Sequence, residues 1–458
     1  MDFKKEVLKR KDELIKDLQD LMKINSELTV YNPNNLDEPF GPGNKKALDF
    51  MLNLGNKDGF ETVNTDNYAG HIEYGKTDEF VAMVGHLDVV PAGSGWSYPP
   101  YGAEIHNNRL YGRGAEDDKG PTMAAYYALK ILKELNLPLS KRIKLILGVD
   151  EESGWRCVNH YFKKYPETPV SGFIPDADFP LIYAEKGIVR VVVEGDFENS
   201  KLVSFTGGLR DNMVPDSATA TLKGNSEAIK RCFLAYLNKF EYQGNVELLE
   251  YDQIKLNIEG ISAHGSTPEL GVNAINLLNN FLSDLKLDNS VVTLINRNLK
   301  NDTLGNKLGI SFYDEEMGDL TVNLGVLNAV DDKFRLVLNV RYPNGVNFDE
   351  MFETIKNELE VYGSVTYEHH QKLLYNDPNS NLVKTLMNSY IKHTGDIDAK
   401  PMTIGGGTFA RALPNVVAFG PHFPNKPSYI HQKDEYIDID DLILATIIYT
   451  EALYNLAK

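Results

Sequence analysis

The chain has 458 residues, 42% of them hydrophobic and 10% aromatic, which is enough to fill more than one buried core. Asp and Glu outnumber Lys and Arg by 65 to 47, and the resulting net charge of −18 disfavours binding to nucleic acid or to an anionic membrane. We find no apolar signal core, no run long enough to span a bilayer, and two widely separated cysteines, Cys157 and Cys232. We therefore expect a cytoplasmic protein of two or three domains.

Helical patterns and short apolar runs alternate in the first part of the chain and again at its end. The predicted helices are 3–24, 45–54, 122–135, 157–165 and 440–456, with a loop over 31–44. The predicted buried strands are 80–84, 143–149, 170–174 and 416–419, each an apolar run without polar alternation. This alternation predicts an α/β domain with helices on both faces of its sheet.

The middle of the chain has a different pattern, in which polar and apolar residues alternate as in a half-exposed antiparallel sheet. The alternating segments are 189–194, 218–222, 254–259 and 334–340, with helical patterns over 273–285 and 348–359. We expect residues 188–379 to form an inserted α+β domain with two similar lobes. The first domain would then be discontinuous, made of residues 1–187 and 380–458.

Histidines and acids follow the predicted strands of the first domain directly. His86 and Asp88 follow the first strand, Glu151 and Glu152 the second, and Asp176 the third. Open α/β sheets place their ligand sites at these carboxyl ends. His86 and Asp88 are two residues apart, so both would face the same way on a strand, and Asp88 could fix the orientation of the His86 ring. Taken singly, a His-x-Asp segment is usually a surface turn, and paired acids at a strand end are often only a helix cap.

A further acidic segment, Glu116 to Asp118, precedes the helix that we expect to open at Pro121. Negative charge is favoured at the positive end of a helix, and a carboxylate held ionised there suits a metal ligand. A solvated acidic turn explains this segment equally well by itself. Together with the strand-end residues, however, it completes a set of mixed imidazole and carboxylate groups: His86, Asp117, Glu152, Asp176 and His431.

Such a mixed set suits Zn²⁺, Mn²⁺ or Co²⁺ better than Ca²⁺ or Mg²⁺. Two ions need about six protein contacts, which five groups supply if one carboxylate bridges the ions. A single ion would leave buried carboxylates crowded and unpaired. Because Glu151 and Glu152 are adjacent, they point apart, so one can bind metal while the other reaches a metal-bound water. The sequence thus predicts two divalent ions, Zn²⁺ foremost and Mn²⁺ or Co²⁺ as alternatives.

Several motifs, in order and essentially end to end, resemble the di-metal aminopeptidase, carboxypeptidase and aminoacylase superfamily, and within it the PepV-type bacterial dipeptidases. The motifs are Gly85-His86-Leu87-Asp88, Gly112-Arg113-Gly114, Asp117-Asp118-Lys119-Gly120, Asp150-Glu151-Glu152-Ser153-Gly154, Asn212-Met213-Val214-Pro215-Asp216, Ala263-His264-Gly265-Ser266 and Ile404-Gly405-Gly406-Gly407-Thr408. The resemblance implies a mixed sheet with helices on both faces, as in di-zinc exopeptidases, carrying an inserted α+β lid of two lobes.

The resemblance also implies a role for each site residue. In the first domain, Asp117 bridges the ions, His86 and Asp176 complete one metal site, Glu152 and His431 complete the other, Asp88 orients His86, and Glu151 is the general base. In the lid, His264 stabilises the oxyanion. The groups expected to hold the terminal carboxylate of the substrate are Asn212, Arg341, Gly405, Gly406 and Gly407. The peptide bond between Asp117 and Asp118 is expected to be cis.

The activity that the resemblance implies is hydrolysis of unsubstituted dipeptides, with a metal-bridging water as nucleophile and Glu151 as general base. The expected partner is a small peptide substrate, and the expected state is a monomer. An N-acyl amino acid deacylase or desuccinylase with the same metals is the alternative. A catalytically inactive metal-binding scaffold is disfavoured because Glu151 and His264 are both present.

Overall fold

The computed structural model describes residues 1–198 and 201–458. The chain divides into two compact units. Unit 1 comprises Met1–Ala184, Leu374–Met402 and Gly407–Lys458, and unit 2 comprises Glu185–Leu373 and Thr403–Gly406. The second unit therefore begins and ends a few residues before the expected limits of 188 and 379, and it includes part of the glycine run near residue 405.

Unit 1 is built on a mixed sheet. In spatial order its strands are Glu61–Thr65, Ala69–Tyr74, Arg142–Gly148, Phe80–His86, Ser171–Ile174, Val416–Ala418, Ile182–Glu185 and Leu374–Tyr375. The strands from Arg142–Gly148 to Val416–Ala418 in this order are parallel, and their outer neighbours pair antiparallel to them. A small three-stranded sheet contains Tyr436–Asp438, Arg109–Tyr111 and Glu104–His106 in spatial order, and Ala177–Asp178 pairs with Pro421–His422.

Helices cover both faces of this sheet, as predicted. The helices of unit 1 are Phe3–Leu8, Lys11–Met22, Pro42–Lys57, Lys119–Glu134, Arg156–Lys164, Asn381–Thr394 and Ile439–Ala457. Ile72 packs under Gly55 of one helix, whereas the ring of its neighbour His71 meets Tyr161 of another. Successive strand residues point to opposite faces, so the two helices lie on opposite sides of the sheet. No helix within residues 1–198 and 201–458 is both long and apolar enough to cross a membrane.

Three predicted helix limits were wrong. The first predicted helix is two helices, because Arg10 leaves the helical conformation with φ −108° and ψ 6°. The second begins earlier, at Pro42, directly after Gly41 with φ +100°. The helix expected to open at Pro121 opens at Lys119 instead. The first N–H groups of a helix have no partner within it, so a proline fits the third position of the first turn as well as the first.

Unit 2 is built on an antiparallel sheet. Its strands, in spatial order among the described residues, are Gly244–Leu249, Gln253–Glu259, Ser217–Lys223, Leu202–Gly207, Thr321–Val330, Lys333–Tyr342, Gly187–Asp196 and Ser364–Gln371. Its α-helices there are Ser226–Phe240, Ala274–Asp284, Ser290–Leu294 and Phe348–Leu359. Every second residue of Gln253–Glu259 is buried against a core that includes Phe233 and Phe281. The predicted alternation is thus confirmed for 254–259 and for 218–222. It was wrong for 334–340, because Lys333–Tyr342 is buried on both faces from Leu336 onwards.

The burial of His71 predicts a loss of stability in acid. The Tyr161 hydroxyl oxygen lies 2.8 Å from His71 Nδ1, and burial, with a smaller effect of Lys144, lowers the pKa of His71 to about 4. The unfolded chain therefore takes up this proton first, so the stabilisation is complete above pH 6.5 and disappears as the pH falls towards 4. When the pH falls from 6.5 to 5, we expect the titration of His71 to lower the unfolding free energy by about 2 kcal/mol.

Urea unfolding at the two pH values measures this loss. The variant His71→Gln carries no titrating group at this position, so its unfolding free energy should fall by about 2 kcal/mol less than that of the wild type over the same interval. Equal losses in the two proteins would show that the acid sensitivity has another source.

Candidate metal centre

The carboxylate of Asp117 lies at the centre of the candidate site in unit 1. Its Oδ1 is 3.0 Å from Nε2 of His86, and its Oδ2 is 3.0 Å from Nε2 of His431. His86 Nε2 also lies 3.6 Å from Asp176 Oδ2, and His431 Nε2 lies 3.2 Å from Glu152 Oε1. The structure therefore brings together all five side chains that the sequence suggested as ligands. Each oxygen of the shared aspartate faces a different histidine.

The topology of the sheet explains this gathering. His86, Glu152 and Asp176 stand at or just after the carboxyl ends of three neighbouring parallel strands, and such ends meet along one edge. Asp117 stands just before the helix Lys119–Glu134, where the helix dipole favours negative charge. The peptide bond between Asp117 and Asp118 is cis, as the sequence resemblance implied.

The spacing and chemistry of these donors fit a pair of divalent ions. Two ligand atoms that each lie about 2.1 Å from one Zn²⁺, at tetrahedral or octahedral angles, are about 3.0 to 3.4 Å apart. The observed nitrogen-to-oxygen distances around Asp117 are close to this range. The ligand atoms of His86, Asp117 and Glu152 all lie within 4.8 Å of one another. Two imidazoles and three carboxylates form a donor set that Zn²⁺, Mn²⁺ and Co²⁺ accept.

The electrostatics of the site also favour cations. Burial raises the pKa values of the Glu151, Glu152 and Asp176 carboxyl groups, and nearby carboxylates raise them further. Burial acts in the same direction on Asp117, but its hydrogen bonds with His431 and His86 outweigh this and hold its pKa well below the ordinary value. The contacts of His431 with Asp117 and Glu152 raise the pKa of its ring to about 10. Crowded buried carboxylates of this kind are stabilised by divalent cations.

Asp88 supports the site in two ways. His86 Nδ1 lies 2.9 Å from the main-chain oxygen of Asp88 and 3.5 Å from its carboxylate oxygen Oδ1. The two carboxylate oxygens accept the main-chain N–H groups of Glu151 and Glu152 over 3.0 and 3.1 Å. The ring is therefore oriented chiefly through the carbonyl group, which the sequence interpretation did not anticipate. The carboxylate instead holds the turn that carries the two glutamates.

Sequence reasoning missed Glu435, which holds the loop of Asp117. One carboxylate oxygen of Glu435 accepts hydrogen bonds from the main-chain N–H groups of Glu116 and Asp117. The other accepts a hydrogen bond of 2.5 Å from Nη1 of Arg113. Arg113 and Glu435 are both buried. This pair joins the segment after His431 to the loop before the helix Lys119–Glu134. An acid within the polar run after His431 resembles a surface residue, and its partner lies more than 300 residues away, so the sequence carried no signal for it.

Unit 2 contains most of the other predicted site residues. Met213 pairs with His264 in an isolated antiparallel bridge, and the Asn212 main-chain oxygen accepts the N–H of Gly265 over 2.7 Å. Asn212 and His264 are both exposed, and His264 Nδ1 lies 2.6 Å from the Ser266 hydroxyl oxygen. Partial loss of hydration of the ring, with a smaller effect of Arg341, lowers the pKa of His264. Asn212 and His264 therefore lie side by side within this unit.

Arg341 is buried in the same unit and oriented by its own surroundings. Its Nε donates to Asn339 Oδ1 over 2.6 Å, and its Nη1 donates to the main-chain oxygen of Gly405 over 2.9 Å. A Cβ atom on Gly405 would lie 2.8 Å from the Ser266 side chain, so only glycine permits this close approach. Gly406 also belongs to unit 2, whereas Gly407 belongs to unit 1.

A mixed sheet flanked by helices that gathers two histidines and two further carboxylates around one shared aspartate defines a metal-dependent hydrolase. The chain belongs to the peptidase family M20/M25/M40, whose family model matches residues 82–455. The resemblance and the fold class inferred from the sequence are confirmed.

Similar proteins match over their whole lengths. A Bacillus subtilis (strain 168) protein named "Putative dipeptidase YtjP" is 44% identical over 100% of both chains, and a "Putative dipeptidase" of Staphylococcus epidermidis is 41% identical over 99% of both. Among solved structures, human carnosine dipeptidase 1 matches with a TM-score of 0.59 and 16% identity, covering 99% of this chain and 98% of that one. The metallo-carboxypeptidase Sso-CP2 of Sulfolobus solfataricus gives 0.59 and 18%, covering 96% and 98%. At these identities the structural likeness shows the fold.

Proposed function

We propose that this enzyme is a metal-dependent dipeptidase that hydrolyses unsubstituted dipeptides. The observation that carries the proposal is the pair of histidines, His86 and His431, each facing one oxygen of Asp117, with Glu151 next to the ligand Glu152. Relatives that are 44% and 41% identical over essentially the whole chain bear the name dipeptidase, which supports the same substrate class.

Five side chains would hold the two ions, with His86 and Asp176 on one side of Asp117 and Glu152 and His431 on the other. We propose Zn²⁺ foremost, with Mn²⁺ or Co²⁺ as alternatives. When bound, such ions polarise the scissile carbonyl group and make water a stronger acid. Asp88 contributes by keeping the His86 ring and the turn of the two glutamates in place.

Glu151 acts as the general base in this proposal. Its side chain is half-buried, and loss of hydration together with the neighbouring carboxylates raises its pKa well above the ordinary value. A carboxylate with a raised pKa takes a proton from water more readily and can return it to the leaving amine. The hydroxyl part of the water then joins the carbonyl carbon, the peptide C–N bond breaks, and the amine leaves with the proton. The products are two amino acids.

We assign substrate binding mainly to residues of unit 2, with Gly407 of unit 1 in addition. His264 would stabilise the negative charge that develops on the carbonyl oxygen. The planar fork of Arg341 matches a carboxylate, and its contacts with Asn339 and Gly405 fix its orientation. Asn212 and the glycines at 405–407 would complete the site for the terminal carboxylate. Because this site requires a free carboxylate one residue beyond the scissile bond, we expect tripeptides to be poor substrates. The monomeric state and the cytoplasmic location stay predictions.

A substrate panel tests the proposal. The protein is stripped of metal with a chelator and assayed with dipeptides, tripeptides, N-acetyl amino acids and N-succinyl amino acids, before and after addition of Zn²⁺, Mn²⁺ or Co²⁺. We expect no hydrolysis before addition, and afterwards dipeptides cleaved faster than the other classes. Faster cleavage of acylated amino acids would replace the dipeptidase by a deacylase or desuccinylase. Full activity in metal-free protein would contradict the role of the metal centre.

A further inference from the structure

The side chain of Glu151 has a hydrogen-bond donor of its own. The indole Nε1 of Trp155 donates to Glu151 Oε1 over 3.2 Å. A flexible glutamate acts efficiently as a base only when one of its oxygens is held at the reacting position. A single N–H donor on one oxygen restricts the carboxylate and leaves its second oxygen to accept a proton.

The main chain at Trp155 is held in an unfavourable conformation that turns this residue back towards Glu151. Its φ of +56° and ψ of 18° lie in the left-handed region, which is costly for a bulky residue. The N–H of Trp155 donates to the main-chain oxygen of Asp150 over 2.8 Å. The buried carboxylate of Asp150 accepts the main-chain N–H, Nε and Nη2 of Arg156. Bonds on both sides thus maintain the strained residue, as is typical of functional positions.

The indole ring is also fixed by packing. It lies edge-on to the buried ring of Phe409, with centroids 5.2 Å apart and an angle of 74° between the planes. Phe409 in turn lies edge-on to the ring of His86, with centroids 6.2 Å apart. Edge-to-face pairs of this kind are favourable and directional. The aromatic row therefore connects the donor on Glu151 to the ring of a metal ligand, so both keep a constant relative position.

We propose that Trp155 is a positioning residue for the general base: its indole N–H holds one oxygen of Glu151 so that the other faces the water that attacks. This inference rests on the proposed function and extends it to a residue outside the metal set. The packing of the ring on Phe409 and the hydrogen bond from its N–H are separable contributions, because phenylalanine retains an aromatic ring without the donor.

The test compares Trp155→Phe with the wild type on a dipeptide, with metal content measured for each. Loss of a hydrogen bond to a charged group should lower kcat about 10- to 100-fold, with KM and bound metal unchanged. The matched control is Trp96→Phe, the same substitution at the other tryptophan, whose indole donates to the Ala92 main-chain oxygen. We expect this control to keep the wild-type kcat.

A second comparison separates positioning from a general structural role. In Glu151→Asp the carboxylate is shorter and moves away from the indole, so adding Trp155→Phe should cause no further loss of kcat. Independent, multiplicative losses in the double variant would overturn the inference. An unchanged kcat in Trp155→Phe, or a rise in KM alone, would overturn it as well. In each case a wild type that cleaves dipeptides would leave the proposed function standing, whereas an inactive wild type would reject the function itself.

Discussion

Replacement of Glu151 by glutamine is expected to lower kcat by about four orders of magnitude while both metal ions stay bound. The amide has the same shape as the carboxylate, and its oxygen can still accept the indole N–H of Trp155. It cannot take a proton from water, however, so the step assigned to this residue is lost. Steady-state kinetics on a dipeptide and elemental analysis of the purified protein measure the two quantities separately.

The adjacent glutamate provides the matched control. Glu152→Gln makes the same chemical change one residue away, on the side chain that lies 3.2 Å from His431. We expect this variant to lose metal affinity, with activity partly restored by a high concentration of Zn²⁺ or Mn²⁺. Glu151→Gln should not respond to added metal. If Glu151→Gln loses metal and Glu152→Gln retains it, the roles assigned to the two residues are reversed.

The parts of the fold that the sequence predicted correctly are those in which burial alone determines the pattern. The strand Phe80–His86 is buried along its whole length, and an apolar run without polar alternation is typical of a strand that is buried on both faces. Gln253–Glu259 alternates because one face meets the core. The strand Thr321–Val330 was missed because buried Asn323 interrupts its apolar run. The amide of Asn323 donates to main-chain oxygens of Asp211 and Met213, 112 and 110 residues away, and a local pattern cannot reveal such partners.

The residues of the candidate site also fall into two groups, those that a local sequence pattern indicates and those that it does not. Four of its candidate ligands, His86, Asp117, Glu152 and Asp176, could be suggested from the sequence because strand ends and a helix start place them. His431 lies in a turn between Pro421–His422 and Tyr436–Asp438, where no such element marks it. Glu435 and the carbonyl of Asp88 act through contacts with main-chain groups, for which residue type gives no sign. Trp155 was missed because an indole beside a carboxylate depends on a strained backbone conformation that the sequence does not specify.

The strongest effect on metal binding is expected from Asp117→Asn. Each oxygen of Asp117 faces a different histidine, so the substitution removes a negative charge from both proposed metal sites and replaces one oxygen donor by an NH₂ group. Even the loss of residues that only support a ligand weakens metal binding about 10- to 100-fold, so the loss of a shared ligand should exceed this. We expect fewer than two ions per chain at micromolar free Zn²⁺, with dipeptide hydrolysis falling in parallel.

The neighbouring acid distinguishes a shared ligand from a general effect of charge. Asp118 Oδ2 accepts the main-chain N–H of His86 and the Thr122 hydroxyl, and burial raises the pKa of this carboxyl group well above its ordinary value. The side-chain oxygen of asparagine can accept the same two hydrogen bonds, so Asp118→Asn should retain two ions per chain. If Asp117→Asn also retains two ions with the affinity of the wild type, Asp117 does not join the sites, and the arrangement of ligands proposed here is wrong.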